Sequence, residues 1–421
     1  MGHVSVKKNA TVFSLALLIA GATIGAGVLG LPVQTGLSGF MPSSLGIVII
    51  WIIMTFTALV LAERFMRSDA VAIDYPSIFK QDFGIVGKYL CVFGYLINYY
   101  GIMVAYLCGS AVILASLIPI TLPENFFMLI FFIPTTIITL FGLAYVVKAN
   151  ALFMFLLGIS FIGLIILTAG KMQTSNLAYT DWSFLIPATP VILTTFLFHN
   201  VIPSICRSLK NNRKKIWSAI IIGTSISCCI VLVWNFVAIG AVPMGGTGEG
   251  SLLYAYLHGE PATVPLAAGL HSEMITIAGM VFSLCAIFTS FVSVVIGLGG
   301  FIRDLMVSTF KIDNRNINII LVLAPSLIVS LFFPNLFLGA LDIAGGVGGV
   351  LIFGVFPAMM LIKYSKNILS IKAIIGVILF LFLGFLILLD IAQQFHIVDI
   401  KPKIEQQSQL HSVSSGAHVD K

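Results

Sequence analysis

Residues 21–32 read GATIGAGVLGLP. Gly25, Gly27 and Gly30 satisfy the G-x-G-x-x-G spacing that lets a backbone approach a dinucleotide pyrophosphate. That reading needs a preceding strand, a βαβ unit and an acidic residue about 20 positions on. Here the stretch lies within an apolar run that begins near residue 9, a second apolar run follows at 43–65, and the first acidic residue is Glu63. The alternative is a membrane helix broken by glycine. Each interior glycine costs about 1 kcal/mol relative to alanine, and Gly21, Gly25, Gly27 and Gly30 precede Pro32 within twelve residues.

The rest of the chain supports the membrane reading. Of 421 residues, 59% are hydrophobic and only 9% charged, where a soluble domain carries about 25%. Apolar runs of about 20 residues, each long enough to cross a hydrocarbon core as a helix, recur throughout. They predict eleven spans: 9–37, 43–65, 88–117, 124–147, 149–170, 183–209, 215–241, 271–303, 316–334, 337–363 and 370–394. The first has no small-x-small cleavage site followed by a polar mature sequence, so it is expected to stay in the membrane.

Charge sets the orientation. With the N-terminus inside, all of the 22 Lys and Arg residues except Lys171, Lys401, Lys403 and Lys421 fall on the cytoplasmic side. That accounts for the net charge of +6 without nucleic acid, because the basic residues sit in short loops on one face. Residues 1–8 are then a cytoplasmic N-terminus, 9–395 one transmembrane domain and 396–421 a polar external tail, expected to be disordered. The external connection 242–270 is rich in Gly and Pro and long enough for a short gating helix. Six cysteines lie in or beside apolar spans without metal-ligand spacing and read as packing residues, with no metal and no cofactor.

A second span is also damaged. In TTFLFHNVIPSI, residues 194–205, His199, Asn200 and Pro203 stand mid-span, where proline removes a backbone donor. Unpaired backbone at membrane depth is tolerated only where it lines a cavity or is buried in protein. The first and sixth spans each open a set of five: repeat one over 9–170, repeat two over 183–363, with 370–394 as an extra helix. An odd repeat length inverts the second half, and matched broken helices point to a secondary transporter's site near the midplane. Helix packing through small residues, Gly21 and Gly25 being four apart, is the blander account of the first break; the paired break in the sixth span outweighs it. GGVGG at 345–349 has no such counterpart and reads as packing.

Three stretches resemble the hydroxy and aromatic amino acid permeases, the bacterial tyrosine and tryptophan permease family, within the amino acid/polyamine/organocation superfamily. They are GATIGAGVLGLP, the run FLFHNVIPSICRSLKNNRKKIWSAIIIGTSI at 196–226, and CAIFTSFVSVVIGLGGFIRDLM at 285–306. The match in order extends from about residue 9 to 395. It implies an all-α bundle of about eleven spans built as a five-plus-five inverted repeat, and proton-coupled uptake of an aromatic amino acid across a bacterial cytoplasmic membrane, without catalysis. By resemblance, Gly25, Ala26 and Gly27 bind the substrate carboxylate through backbone N–H groups, with Gly21 and Thr23 on the same turn. Phe196, Leu197, Phe198, His199 and Asn200 would face the substrate from the sixth span. In sodium-coupled members of the superfamily a cation lies between the first and eighth helices; the matching positions are the Gly21 and Ile24 carbonyls and the Thr289 and Ser290 hydroxyls. Those hydroxyls leave sodium coupling open. Residues 151–170 lack the lysine that some proton-coupled relatives place mid-fifth helix, so a proton carrier is sought elsewhere.

Ionisable residues inside spans are costly and count as candidates. His199 lies beside the break, with an ordinary pKa near neutrality; a structural histidine bonded to freed backbone is an equal alternative. Asp342 is a candidate gate or proton residue near the external end, or a carboxylate on a helix N-terminus. Glu63 is expected to pair with Arg64 or Arg67, and Glu273 to cap the eighth span. Tyr95, Tyr99, Tyr100 and Tyr106 lie on the third span; Tyr99 and Tyr106 share a face, and Tyr99 is taken as a substrate contact. A serine, threonine or other neutral amino acid permease, and a non-transporting sensor on the same bundle, remain as alternatives. A channel is disfavoured, since no ring of charged or carbonyl-rich loops is present.

Overall fold

The computed structural model describes residues 11–68, 75–117, 122–140, 143–246, 248–365, 367, 369–395, 397, 398 and 400–404. The first span is two helices, α1 (Val12–Thr23) and α2 (Ala26–Gly36), bent by 57°. Then come α3 (Phe40–Met66), α4 (Tyr75–Leu117), α5 (Glu124–Leu140), α6 (Leu143–Ala169) and the short α7 (Thr174–Ala178). The sixth span is also split, into α8 (Thr189–Thr195) and α9 (Ile202–Ser208). It is followed by α10 (Arg213–Ala241), the short α11 (Leu252–His258) and α12 (Thr263–Leu270), α13 (Glu273–Leu305) and α14 (Arg315–Phe332). The tenth span starts as α15 (Phe337–Asp342), widens into π-helical turns over Ile343–Gly349 and Leu351–Val355, and ends as α16 (Phe356–Lys363). The last span is α17 (Ile371–Gln394).

Among the described residues nine helices, with α8–α9 and α15–α16 each counted once, are long and apolar enough to cross a membrane, and the bent pair α1–α2 makes a tenth. The apolar α5, 17 residues long, completes the eleven. Ile159, Ile162 and Ile166 on α6 are 54–69% exposed, an apolar stripe one helix face wide, as suits a helix that borders lipid. Five of the six cysteines are buried and Cys229 is exposed.

Several boundaries move. The fourth and fifth spans do not part at Lys148–Asn150, which lie within α6; their junction falls at residues 141–142, outside the described residues. Lys148 and Asn150 simply continue the helix. The third span begins thirteen residues earlier than expected, because residues 75–83 form a helix of their own, joined at Gly84 with φ of 70°. The connection 242–270 holds two short helices, not one. Residues 401–404 of the expected disordered tail are ordered: the Lys403 N–H donates to Asp181 Oδ2 at 2.9 Å, and Ile404 packs beside Gly245. Residues 1–8 and 405–421 lie outside the described residues.

The contacts carry the internal symmetry. Helix α1 of the first span packs on α10, the seventh; α3, the second, packs on α8 and α9, the sixth. Likewise α4, the third, packs on the π segment of the tenth, and α13, the eighth, on α6, the fifth. Replacing each span by its counterpart five places away turns the 1–7 contact into the 6–2 contact and the 3–10 contact into the 8–5 contact, as an inverted repeat requires.

Candidate substrate and ion site at the broken helices

At the first break Ile24 and Gly25 are extended, with φ, ψ of −86°, 91° and −148°, −154°. The last bond of α1 runs from the Ile24 N–H to the Gly21 carbonyl at 3.3 Å, and α2 begins at Ala26. The N–H groups of Ala26 and Gly27 have no carbonyl of the preceding turn to meet, and the positive end of the α2 dipole lies with them. That is a site for a carboxylate.

Glycine is required by close approach. A Cβ on Gly27 would stand 2.9 Å from Thr195 Cα and 3.0 Å from Thr195 N, at the end of α8. One on Gly25 would meet Ser290 Oγ at 3.0 Å and Tyr106 Oη at 3.1 Å. The two broken spans therefore touch backbone to backbone, and α13 and α4 close the same turn.

In the sixth span α8 ends at Thr195, before Pro203 is reached, and Pro203 stands in the first turn of α9, where a missing N–H leaves no bond unmade. Proline here starts a helix; it does not break one. Phe196 and Phe198 are fully buried, Leu197 is half-buried and Asn200 is exposed. His199 is also fully buried, its ring stacked between Phe198 at 4.7 Å and Phe353 of the tenth span at 4.9 Å. Its Nε2 lies 3.1 Å from Thr57 Oγ1 on α3, and its carbonyl accepts the Tyr75 hydroxyl at 2.5 Å. Its Nδ1 has no hydrogen-bond partner.

The ion candidates divide. Ser290 Oγ donates to the Ile24 carbonyl at 3.4 Å, joining the eighth span to the first break. The neighbouring Thr289 hydroxyl donates into its own helix, to Cys285 at 2.9 Å. Thr23 is committed elsewhere: its hydroxyl donates to the Ala20 carbonyl at 2.7 Å and to Ser227 on α10 at 2.9 Å. Asp342 Oδ2 accepts from Gln34 Nε2 of α2 at 2.8 Å.

Other placements differ from expectation. Glu63 pairs with neither Arg64 nor Arg67; it accepts from Arg213 and, at 2.9 Å, from Trp217 on α10. Arg64 reaches Asp82, which also accepts the Tyr364 hydroxyl at 2.5 Å. Ser272 occupies the N-cap of α13, and Glu273 follows in the first turn. Tyr99 stacks on Tyr95 at 5.5 Å and lies against Gly297, whereas Tyr106, two turns on, is the tyrosine at the break. Sequence reading passed over Gln34 and Asp390, both buried within spans. Asp390 carried the same signal as Asp342, an acid inside an apolar run.

The profile of the tryptophan/tyrosine permease family matches residues 8–393. The chain belongs to that family. It is thus a multi-pass membrane protein of a permease family and not an enzyme. Among its relatives, tyrosine-specific transport system 2 of Haemophilus influenzae is 30% identical over 353 residues, covering 80% of this chain and 84% of the relative. The low affinity tryptophan permease of Escherichia coli is 25% identical over 397 residues, covering 86% and 89%. Among solved structures, MhsT in complex with L-phenylalanine superposes with a TM-score of 0.58 at 17% identity, covering 90% of this chain and 97% of that one. A manganese transporter from Eremococcus coleocola gives 0.56 at 16% identity, covering 96% and 92%. At these identities the likeness is one of fold.

Proposed function

We propose that this permease imports an aromatic amino acid, tyrosine or tryptophan, across the bacterial cytoplasmic membrane together with a proton. The observation that carries the proposal is the closure of the α2 N-terminus, Gly25–Gly27, on Thr195, Ser290 and Tyr106. Backbone N–H groups there meet a carboxylate, and the Tyr106 ring offers a face or a hydroxyl to an aromatic side chain. The relatives named above, one for tyrosine and one for tryptophan, support the substrate class.

The orientation is N-terminus inside and C-terminus outside. It is supported by the charge asymmetry of the loops and by the docking of Lys403 on Asp181, within the 171–183 connection. Alternating access then opens the Gly25–Gly27 turn to one side at a time.

Sodium coupling is the second reading, favoured by the Ser290 contact with the Ile24 carbonyl. Uptake of radiolabelled tyrosine and tryptophan into proteoliposomes, under independently imposed proton and sodium gradients, decides between them. Indifference to both gradients sinks symport. Serine displacing the label as well as tyrosine does favours a neutral amino acid permease, and binding without accumulation favours a sensor.

A further inference from the structure

We propose that Asp342 and Asp390, bridged to the substrate half-helix by Gln34, form the site that carries the coupled proton. The inference rests on the proton-coupled reading above and assigns its carrier.

Asp342 ends α15 where the tenth span widens into π-helix, and Asp390 lies on α17 one turn from its end. A Cβ on Gly346, four residues after Asp342, would stand 2.5 Å from Asp390 Oδ2, so α17 presents that carboxyl to the π segment. The two carboxyls lie near enough to interact electrostatically. Asp390 is 2% exposed and Gln34 3%.

The hydrogen-bond inventory is unbalanced in one direction. Gln34 Nε2 donates to Asp342 Oδ2, but Gln34 Oε1, Asp342 Oδ1 and Asp390 Oδ2 are all sealed from solvent without a partner. All three are acceptors. Beyond the Gln34 and Gln394 amides, what these three oxygens lack is a donor, and a proton on either carboxyl is one. Sealed and unpaired, an ionised carboxylate is among the costliest groups to bury.

The surroundings offer amides but no cation. Gln34 is the polar group presented by α2, Pro190 and Thr194 are what α8 sets against the π segment, and Gln394, one turn beyond Asp390 on α17, is near enough for its amide to hydrogen-bond the Asp390 carboxyl. Among the described residues no Lys, Arg or His is hydrogen-bonded or ion-paired to either carboxyl. A metal cation is disfavoured, because Gln34 turns an amide N–H towards Asp342 where a cation cage turns oxygens.

The site also has a route to the substrate. Gln34 is on the same half-helix as Gly25–Gly27, so a change of charge on Asp342 acts on the element that holds the carboxylate. A proton that binds here and releases elsewhere in the cycle couples its gradient to α2.

The test uses the reconstituted full chain with radiolabelled tyrosine and tryptophan. Wild type is expected to accumulate label under an inward proton gradient. Asp342→Asn and Asp390→Asn are expected to lose that accumulation by at least about tenfold, with counterflow exchange far less affected. Asp390→Glu, which keeps a titratable group, is expected to restore part of the accumulation with a displaced pH profile. Asn variants that accumulate like wild type overturn the inference alone, whereas wild type indifferent to the proton gradient overturns the coupling reading and the inference with it. Variants that lose only a sodium-driven component make the cluster a cation site and also overturn it. If the Asn variants do not fold, the glutamate variant and infrared difference spectra of wild type decide: an unchanged pH profile, or no protonated-carboxyl band that responds to pH, sinks the assignment.

Discussion

Gly27 and Thr195 meet backbone to backbone: a side chain on Gly27 would begin 2.9 Å from Thr195 Cα. No rotamer change relieves such a contact, since the obstructing atoms are main chain. Gly27→Ala is therefore expected to part the two broken spans, at a cost of about 1–3 kcal/mol, and to reduce uptake at least about tenfold at equal membrane abundance. Gly158→Ala, where nothing lies within 4 Å of the new methyl, is the control and should transport normally.

Tyr106 is expected to contribute to substrate affinity and Tyr99 mainly to packing, despite their shared helix face. Tyr106→Ala should raise KM for tyrosine and tryptophan several-fold, with Tyr106→Phe separating the ring from the hydroxyl that lies beside Gly25. Tyr99→Phe, altering a ring stacked on Tyr95, should leave KM within about twofold. Initial-rate uptake over a range of substrate concentrations distinguishes them.

His199 fills a slot between Phe198 and Phe353. His199→Ala should leave a cavity there and lower stability by on the order of 2–4 kcal/mol, seen as a lower unfolding temperature in detergent. Transport should fall in parallel with stability. A variant of normal stability that selectively loses gradient-driven accumulation would instead return His199 to the proton pathway.

Glu260, in the connection between α11 and α12, supplies a pH dependence. Burial, reinforced by Glu249 and Glu124 and opposed by His258, pushes its carboxyl up to about 7 from an ordinary 4.5. Between those values the folded chain keeps a proton that the unfolded chain has released, so stability is full below the lower value and declines as pH rises towards and through the upper. Glu260→Gln should flatten that decline. Thermal unfolding of wild type and variant at pH 5 and pH 8 measures it.

Asp82 anchors the opposite face. It accepts a forked hydrogen bond from Arg64 and the Tyr364 hydroxyl, tying α3 and the 75–83 helix to the end of α16. Asp82→Ala leaves Arg64, with only 14% of its side chain exposed, without its carboxylate and with the Gln81 amide oxygen as its remaining acceptor. A loss of about 3–5 kcal/mol is expected, again read as unfolding temperature.

What could be read from the sequence was what depends on short-range chemistry. The glycines at 21–30 and the apolar runs announced the spans and the first break without any partner being known. Pro203 pointed to the right span for the wrong reason: the chain leaves the helix at Phe196, and the proline merely opens the next one. Choices made over long range were not readable. Glu63 had adjacent arginines to choose from and took Arg213, 150 positions away, because α3 and α10 pack side by side. Tyr99 and Tyr106 are equivalent on a helical wheel and are separated only by how far α4 slides along α13. The widening at 343–355 has no local signature at all, since GGVGG serves a close-packed α-helix equally well; there Gly345 lies against Thr194 and Gly348 against Asn98.

Helix α2, with its 11 residues, is a rod about 16 Å long. Gly25 stands just before one end and Gln34 close to the other. The helix runs unbroken from Ala26 to Gly36 through Pro32, so a displacement at one end is carried to the other. Gly25 and Gln34 are separated by about 14 Å along it, so a tilt of about 10° about the Gln34 end sweeps the Gly25 end through about 2 Å, enough to break a hydrogen bond. The break at Ile24 and Gly25 frees that end from α1, and the leverage between a carboxyl at one end and a carboxylate at the other is set by nothing more than a count of residues.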